Sequence, residues 1–119
     1  MNKLLMAGVA ILSLVGCSST PKVPPPDMNN ITVAVVDGKS LRDVIVSSAT
    51  RRHWITSVIS GNKIRCTILQ RSNKVEIDII VHNGSTYDIH CVSSNIPEAK
   101  YLQWVTKLQR EIAKAAQTR

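Results

Sequence analysis

Between Lys63 and Ser93 apolar and polar side chains alternate with a period of two, and on either side of this stretch the period lengthens to that of a helix. Alternation sends successive side chains to opposite faces of a strand, so it predicts half-buried β-structure. Residues 63–70 put Ile64, Cys66 and Ile68 on one face and Arg65, Thr67 and Leu69 on the other. Residues 74–81 set Val75, Ile77, Ile79 and Val81 against Glu76, Asp78 and Ile80, and residues 86–93 set Tyr87, Ile89 and Cys91 against Asp88, His90 and Val92. A fourth strand starts at Trp54, and the turn signals Ser60-Gly61-Asn62, Ser72-Asn73 and His82-Asn83-Gly84-Ser85 separate all four.

Ser40-Leu41-Arg42-Asp43 offers an N-cap hydroxyl with an acid three residues on, and the apolar stripe Leu41, Val44, Ile45, Ser48, Ala49 follows at helical spacing. Arg51, Arg52 and His53 fall in the last turn, where positive charge meets the negative end of the helix dipole. Capping is one reading of that triplet; a binding patch is the other. Pro97 suits the first position of a second helix, Glu98 adds favourable charge to its first turn, and the stripe Tyr101, Leu102, Val105, Leu108, Ile112, Ala115 carries it to about Ala116. Lys100, Lys107 and Lys114 repeat every seven residues on its polar side. The expected fold is therefore α+β, an α-β-β-β-β-α chain over residues 38–119. Its four-stranded antiparallel sheet carries both helices on one face.

The first residues read differently. Lys3 precedes an apolar run from Leu4 to Val15 that has the length of a signal h-region and is too short to span a bilayer comfortably. Leu14-Val15-Gly16-Cys17 resembles the lipobox of bacterial lipoproteins. That resemblance implies a signal peptide over residues 1–16, cleavage before Cys17, and lipid on its thiol and new amino terminus. More than one acyl chain gives stable anchoring. Pro21, Pro24, Pro25 and Pro26 among polar residues then predict an extended tether, residues 17–37 in all. The β-branched run Ile31–Val36 is compatible with an added edge strand, which Asp37-Gly38 would end at once.

Composition changes this picture in two ways. Fifteen Lys and Arg against eight Asp and Glu give a net charge of +7, which favours anionic neighbours as well as solubility. Of three cysteines, Cys17 belongs to the anchor, leaving Cys66 and Cys91 in a compartment where disulfides persist. In a simple meander the strand over residues 74–81 lies between them and holds their backbones about 9.6 Å apart. That exceeds the roughly 7 Å reach of a disulfide, so two buried thiols are expected.

Candidate chemistry is sparse. His90 and Asp88 share the outer sheet face and His90 falls opposite Asp78, so Asp78, Asp88 and His90 could form a carboxylate–imidazole cluster or a plain cross-strand charge pair. No metal-ligand spacing, Gly-x-Ser-x-Gly, His-Glu-x-x-His or glycine-rich phosphate loop occurs. Nucleic-acid binding wants exposed aromatics among its basic residues, but the aromatics are Trp54, Tyr87, Tyr101 and Trp104, of which the tyrosines fit the core. Trp104 reads as rim packing or as an interface anchor. No catalytic residue, metal, small-molecule substrate, nucleic acid or cofactor is expected, beyond covalent lipid on Cys17.

Ile64-Arg65-Cys66-Thr67, the segment Tyr87–Asn95 with its closing Ser94-Asn95, and Tyr101 with Trp104-Val105 together resemble a family of small proteobacterial lipoproteins without assigned activity. The resemblance covers roughly residues 38–112. It implies an envelope lipoprotein of this α+β architecture and no activity to inherit. In that family a Gly-Trp pair follows the first helix, so His53 stands where glycine is usual, and Cys66 and Cys91 stand where alanine and tyrosine are common. Ser18, directly after the lipidated cysteine, fits the sorting rule for the outer membrane in enterobacteria.

Two functions follow as expectations. The first is a non-catalytic, periplasm-facing module that binds an envelope protein partner through Leu69, Ile80 and Val92, should these group on the outer sheet face. The second is a polyanion-binding module that uses Arg51, Arg52, Lys100, Lys107 and Lys114 against lipopolysaccharide or anionic wall polymer.

Overall fold

The computed structural model describes residues 25–118. The signal segment, Cys17 and the first part of the tether lie outside the described residues. Five strands and two helices run in the order β1 (Met28–Thr32), α1 (Leu41–Arg51), β2 (Ile55–Ser60), β3 (Lys63–Gln70), β4 (Asn73–Val81), β5 (Thr86–Ser94) and α2 (Glu98–Ala116). All pairings are antiparallel, and the strand order is β1-β5-β4-β3-β2.

The sheet is thus five-stranded, which corrects the expectation of four. The fifth strand, β1, lies inside the segment read as tether and begins earlier than the β-branched run at Ile31–Val36. Its sequence, Met-Asn-Asn-Ile-Thr, has weak strand propensity. Pairing with β5 makes it a strand: Met28 lies opposite Ile89, Ile31 opposite Tyr87 and Thr32 opposite Thr86. Past Val33, whose N–H donates to the Ser85 carbonyl, β5 has ended and the chain has nothing left to pair with. The β-branched residues that follow cross to the helix layer instead, where the Val36 N–H donates to the Ala116 carbonyl.

The rest follows the hydropathy pattern. Ser40 caps α1, accepting from the Asp43 N–H at 3.4 Å, and Leu41, Val44, Ile45, Ser48 and Ala49 are all buried. The helix stops in a Schellman turn: the His53 N–H donates to Thr50 and the Trp54 N–H to Ala49. This turn needs a left-handed residue, and His53 has φ 71°. Glycine meets that requirement without the steric cost a Cβ imposes. Trp54, the next residue, is buried beside Ala49.

Both helices cover one sheet face. The core joins the α1 stripe, Tyr101, Val105, Leu108 and Ile112 of α2, and the inward residues Ile64, Cys66, Val75, Ile77, Ile79, Tyr87 and Ile89. In α2 the buried seam closes on Ala116, with Ala115 partly exposed. Cys66 and Cys91 are free and buried. Cys66 lies opposite Ile77 and Ile77 opposite Cys91, so a strand separates the thiols as the meander requires.

Candidate functional site

The two helices meet along a seam whose solvent side is rich in cations. Arg51 closes α1 and donates to Glu111 of α2 at 3.3 Å, tying the helices together at the surface. Beside this bridge, Arg52 of the α1 C-cap and Lys107, Arg110 and Lys114 of α2 surround a shallow depression of about 340 Å³. Of its lining residues Glu111 alone is acidic, and Arg51 already engages it. Among the described residues, Arg52, Lys107, Arg110 and Lys114 make no ion pair.

Local structure explains this convergence. Arg52 is held at the end of α1 by the Schellman turn, and Lys107, Arg110 and Lys114 are spaced by three and four residues, which places them along one helix face. Towards the α1 N-terminus the seam widens into a cleft of about 640 Å³, where Lys39, Arg51 and Lys114 stand with the acids Asp43 and Glu111. The Lys39 ammonium donates to the Ala115 carbonyl at 2.7 Å, which ties it to the end of α2 at the cleft wall. Trp104 sits at the opposite end of the seam, half-buried, with Ile68 and Gln70 of β3 nearby. The Lys100 ammonium lies 5.4 Å from the Trp104 ring centroid, a cation–π distance.

Of the five residues expected to contact a polyanion, Arg52, Lys107 and Lys114 share the depression. Arg51 flanks it as the partner of Glu111, and Lys100 stands apart over Trp104. Sequence reasoning missed two contributors. Arg110 was legible from its spacing, three residues after Lys107 and four before Lys114; Lys39 is brought in only by the way residues 33–40 cross to the end of α2.

The outer sheet face is organised otherwise. Arg65 donates from Nε to Asp78 Oδ1 at 2.8 Å and from a terminal nitrogen to Oδ2 at 3.0 Å. These paired donations, with Lys63 and His90 also near, hold the Asp78 carboxyl below the usual carboxylate range although burial opposes them. Asp88 accepts from the Asn30 N–H at 2.7 Å and lies 2.7 Å from His82 Nε2, and its carboxyl is likewise lowered, chiefly by the Asn30 donation. His90 lies opposite Asp78 in register, but its Nδ1 contacts Asp27 at 2.7 Å. Asp78, Asp88 and His90 thus serve three separate contacts. No group of three or more His, Cys, Asp or Glu that could hold a metal occurs among the described residues.

The three apolar residues expected to form a partner surface are spread out. Leu69 pairs with Lys74 near one end of β3, while Ile80 pairs with Lys63 at the other, and the Arg65–Asp78 bridge lies between them. Leu69 is 57% exposed, Ile80 is half-buried, and Val92 occupies an irregularity in β5 where Glu76 and Ile77 face Ser93 and Cys91. The Cys66 thiol is pushed up to about 12 and the Cys91 thiol is also raised, both mainly by burial. Neither is a thiolate nucleophile near neutral pH.

No protein-family model matches the chain, and no curated protein matches it either.

Proposed function

We propose that this chain is a non-catalytic, lipid-anchored envelope protein whose helical face binds anionic polymer or glycolipid, lipopolysaccharide and wall polymer being the fitting classes. The observation that carries this is the gathering of Arg52, Lys107, Arg110 and Lys114 around one depression whose single acid is neutralised by Arg51. Clustered cations on a shallow surface attract extended anions by charge, with little demand on shape. The lipobox-like Leu14–Cys17 and the proline-rich segment after it support attachment at a membrane surface, with the outer membrane favoured by Ser18.

The test is titration of the full-length protein in neutral detergent with a soluble anionic polysaccharide over a range of ionic strength. Affinity falls steeply as the Debye length shrinks from about 30 Å at 0.01 M to about 8 Å at 0.15 M. Binding that persists unchanged in high salt removes the reading.

The expectation of an envelope protein partner through Leu69, Ile80 and Val92 has less support, because these residues do not adjoin. Apolar exposure is instead concentrated on β2, where Ile55, Val58 and Ile59 are 62%, 47% and 50% exposed.

A further inference from the structure

The two edges of the sheet are unlike. At β1 the register breaks between Met28 and Ile31, and Asn30 adopts φ 56° and gives its N–H to the Asp88 side chain. A short, irregular strand of this kind offers no continuous template for another chain. At β2 the register against β3 is unbroken from Ile55 to Val58 and shifts only before Ser60. The strand reads Ile-Thr-Ser-Val-Ile-Ser, with no charge and no proline. Charge, proline and bulges are the usual guards of a natural edge strand, and β2 has only the shift at its far end, which leaves Ile55–Val58 open.

We propose that β2 pairs antiparallel with β2 of a second copy of this chain, so that two five-stranded sheets continue into one. A two-fold interface must be complementary to itself. Residues directly opposite in an antiparallel pair point to the same face, so the two-fold falls on a residue. Centred on Ser57, it sets Ser57 opposite Ser57 and Thr56 opposite Val58 within the regular stretch, with Ile55 facing Ile59 at the register shift. Cross-strand pairs of β-branched residues are favourable, and no like charges meet along the strand.

Charge at the strand ends supports the antiparallel copy. His53 and the arginines before it precede β2, whereas Gly61-Asn62 follow it. The antiparallel arrangement sets His53 of one copy near Gly61 of the other, while a parallel one would set Arg52 beside Arg52. A six-residue strand is about 20 Å long and supplies about six main-chain hydrogen bonds, at the low end of the 10 ± 5 in a typical interface. The dimer is therefore weak and concentration-dependent. A two-fold perpendicular to the sheet keeps both helix layers on one side, so the two cationic seams would face the same surface. The pairing itself does not depend on what those seams bind.

Disulfide trapping in the full-length protein tests this directly. Opposed Cα atoms in an antiparallel pair lie about 4.5–5.5 Å apart, within the range a disulfide spans. Under mild oxidation Ser57→Cys gives a covalent dimer several-fold above two backgrounds. These are the parent chain, which carries the buried thiols Cys66 and Cys91, and Ser93→Cys, an exposed position on β5, three strands from β2. Adding Val58→Lys, or Ile55→Glu as a second and independent change at an exposed site, lowers that yield several-fold while circular dichroism stays unchanged. A Ser57→Cys yield no higher than Ser93→Cys would overturn the proposal. So would yields insensitive to both charged substitutions, or a disulfide to a different envelope protein in place of the dimer.

Discussion

At His53, as at Arg71 in the β3–β4 turn, the backbone demands a left-handed conformation that the side chain supplies poorly. The His53 φ of 71° closes the Schellman turn after α1, and a Cβ in that region costs about 1 kcal/mol relative to glycine. His53→Gly is expected to raise stability by up to about 1 kcal/mol in chemical denaturation, offset in part by the greater freedom glycine gives the unfolded chain. At Asp78 the folded carboxyl lies below its unfolded value, so its contribution is present above the unfolded pKa and is lost as pH falls through the folded one. Asp78→Asn should therefore lower the melting temperature at neutral pH and flatten its decline on acidification, read from thermal scans across the acid range. The buried thiols give a third outcome at this scale. With Cys66 pushed up to about 12 and Cys91 also raised, both should resist alkylation near pH 8 in the folded protein and react on denaturation, as peptide mass mapping would show.

At the scale of elements, local signals and tertiary pairing divide the work unevenly. The α1 stripe, its Ser40 cap and the course of β3 were legible because each is set by residues within one or two turns of chain. Ser40→Ala should cost about 0.5–1 kcal/mol, towards the lower end for a cap because the hydroxyl accepts at 3.4 Å, and denaturant melts would register it. β1 was not legible. Its residues carry weak propensity, and its existence depends on the free edge of β5, which the order of the strands leaves open beside it. Of the β-branched run Ile31–Val36 only Ile31 and Thr32 are in the strand: propensity makes a strand only where a partner edge continues, and β5 begins at Thr86, opposite Thr32.

Across the whole molecule, charge is distributed by layer. From Ile55 to Ser94 the strands and hairpins set Lys63, Arg65, Arg71 and Lys74 against Glu76, Asp78 and Asp88, close to balance, whereas the two helices and the α1 C-cap set Arg42, Arg51, Arg52, Lys100, Lys107, Arg110 and Lys114 against Asp43, Glu98 and Glu111. If this distribution governs polyanion binding, equal changes in net charge should have unequal effects. Lys107→Glu, in the seam, is expected to weaken binding about ten-fold, in keeping with about 1 kcal/mol per basic side chain at an anionic surface plus the added repulsion. Lys74→Glu, in the β3–β4 hairpin, changes net charge identically and should leave affinity nearly unchanged in the same titration. Equal losses would mean that net charge alone acts.

The sequence by itself determined the α+β class, four strands, both helices and their inward faces, because period and capping are local properties of covalently adjacent residues. It also carried the spacing of Lys107 and Lys114, and through the meander geometry the separation of Cys66 from Cys91. Only the tertiary structure decided that a strand of weak propensity completes the sheet at β5. Only it joined Arg52 and Lys39 to the α2 lysines, set Leu69 and Ile80 at opposite ends of the β3–β4 ladder, and left β2 as the edge with the longer unbroken register. Each of these depends on which distant segments lie side by side, and that is set by the burial of the whole core rather than by any pattern within one element.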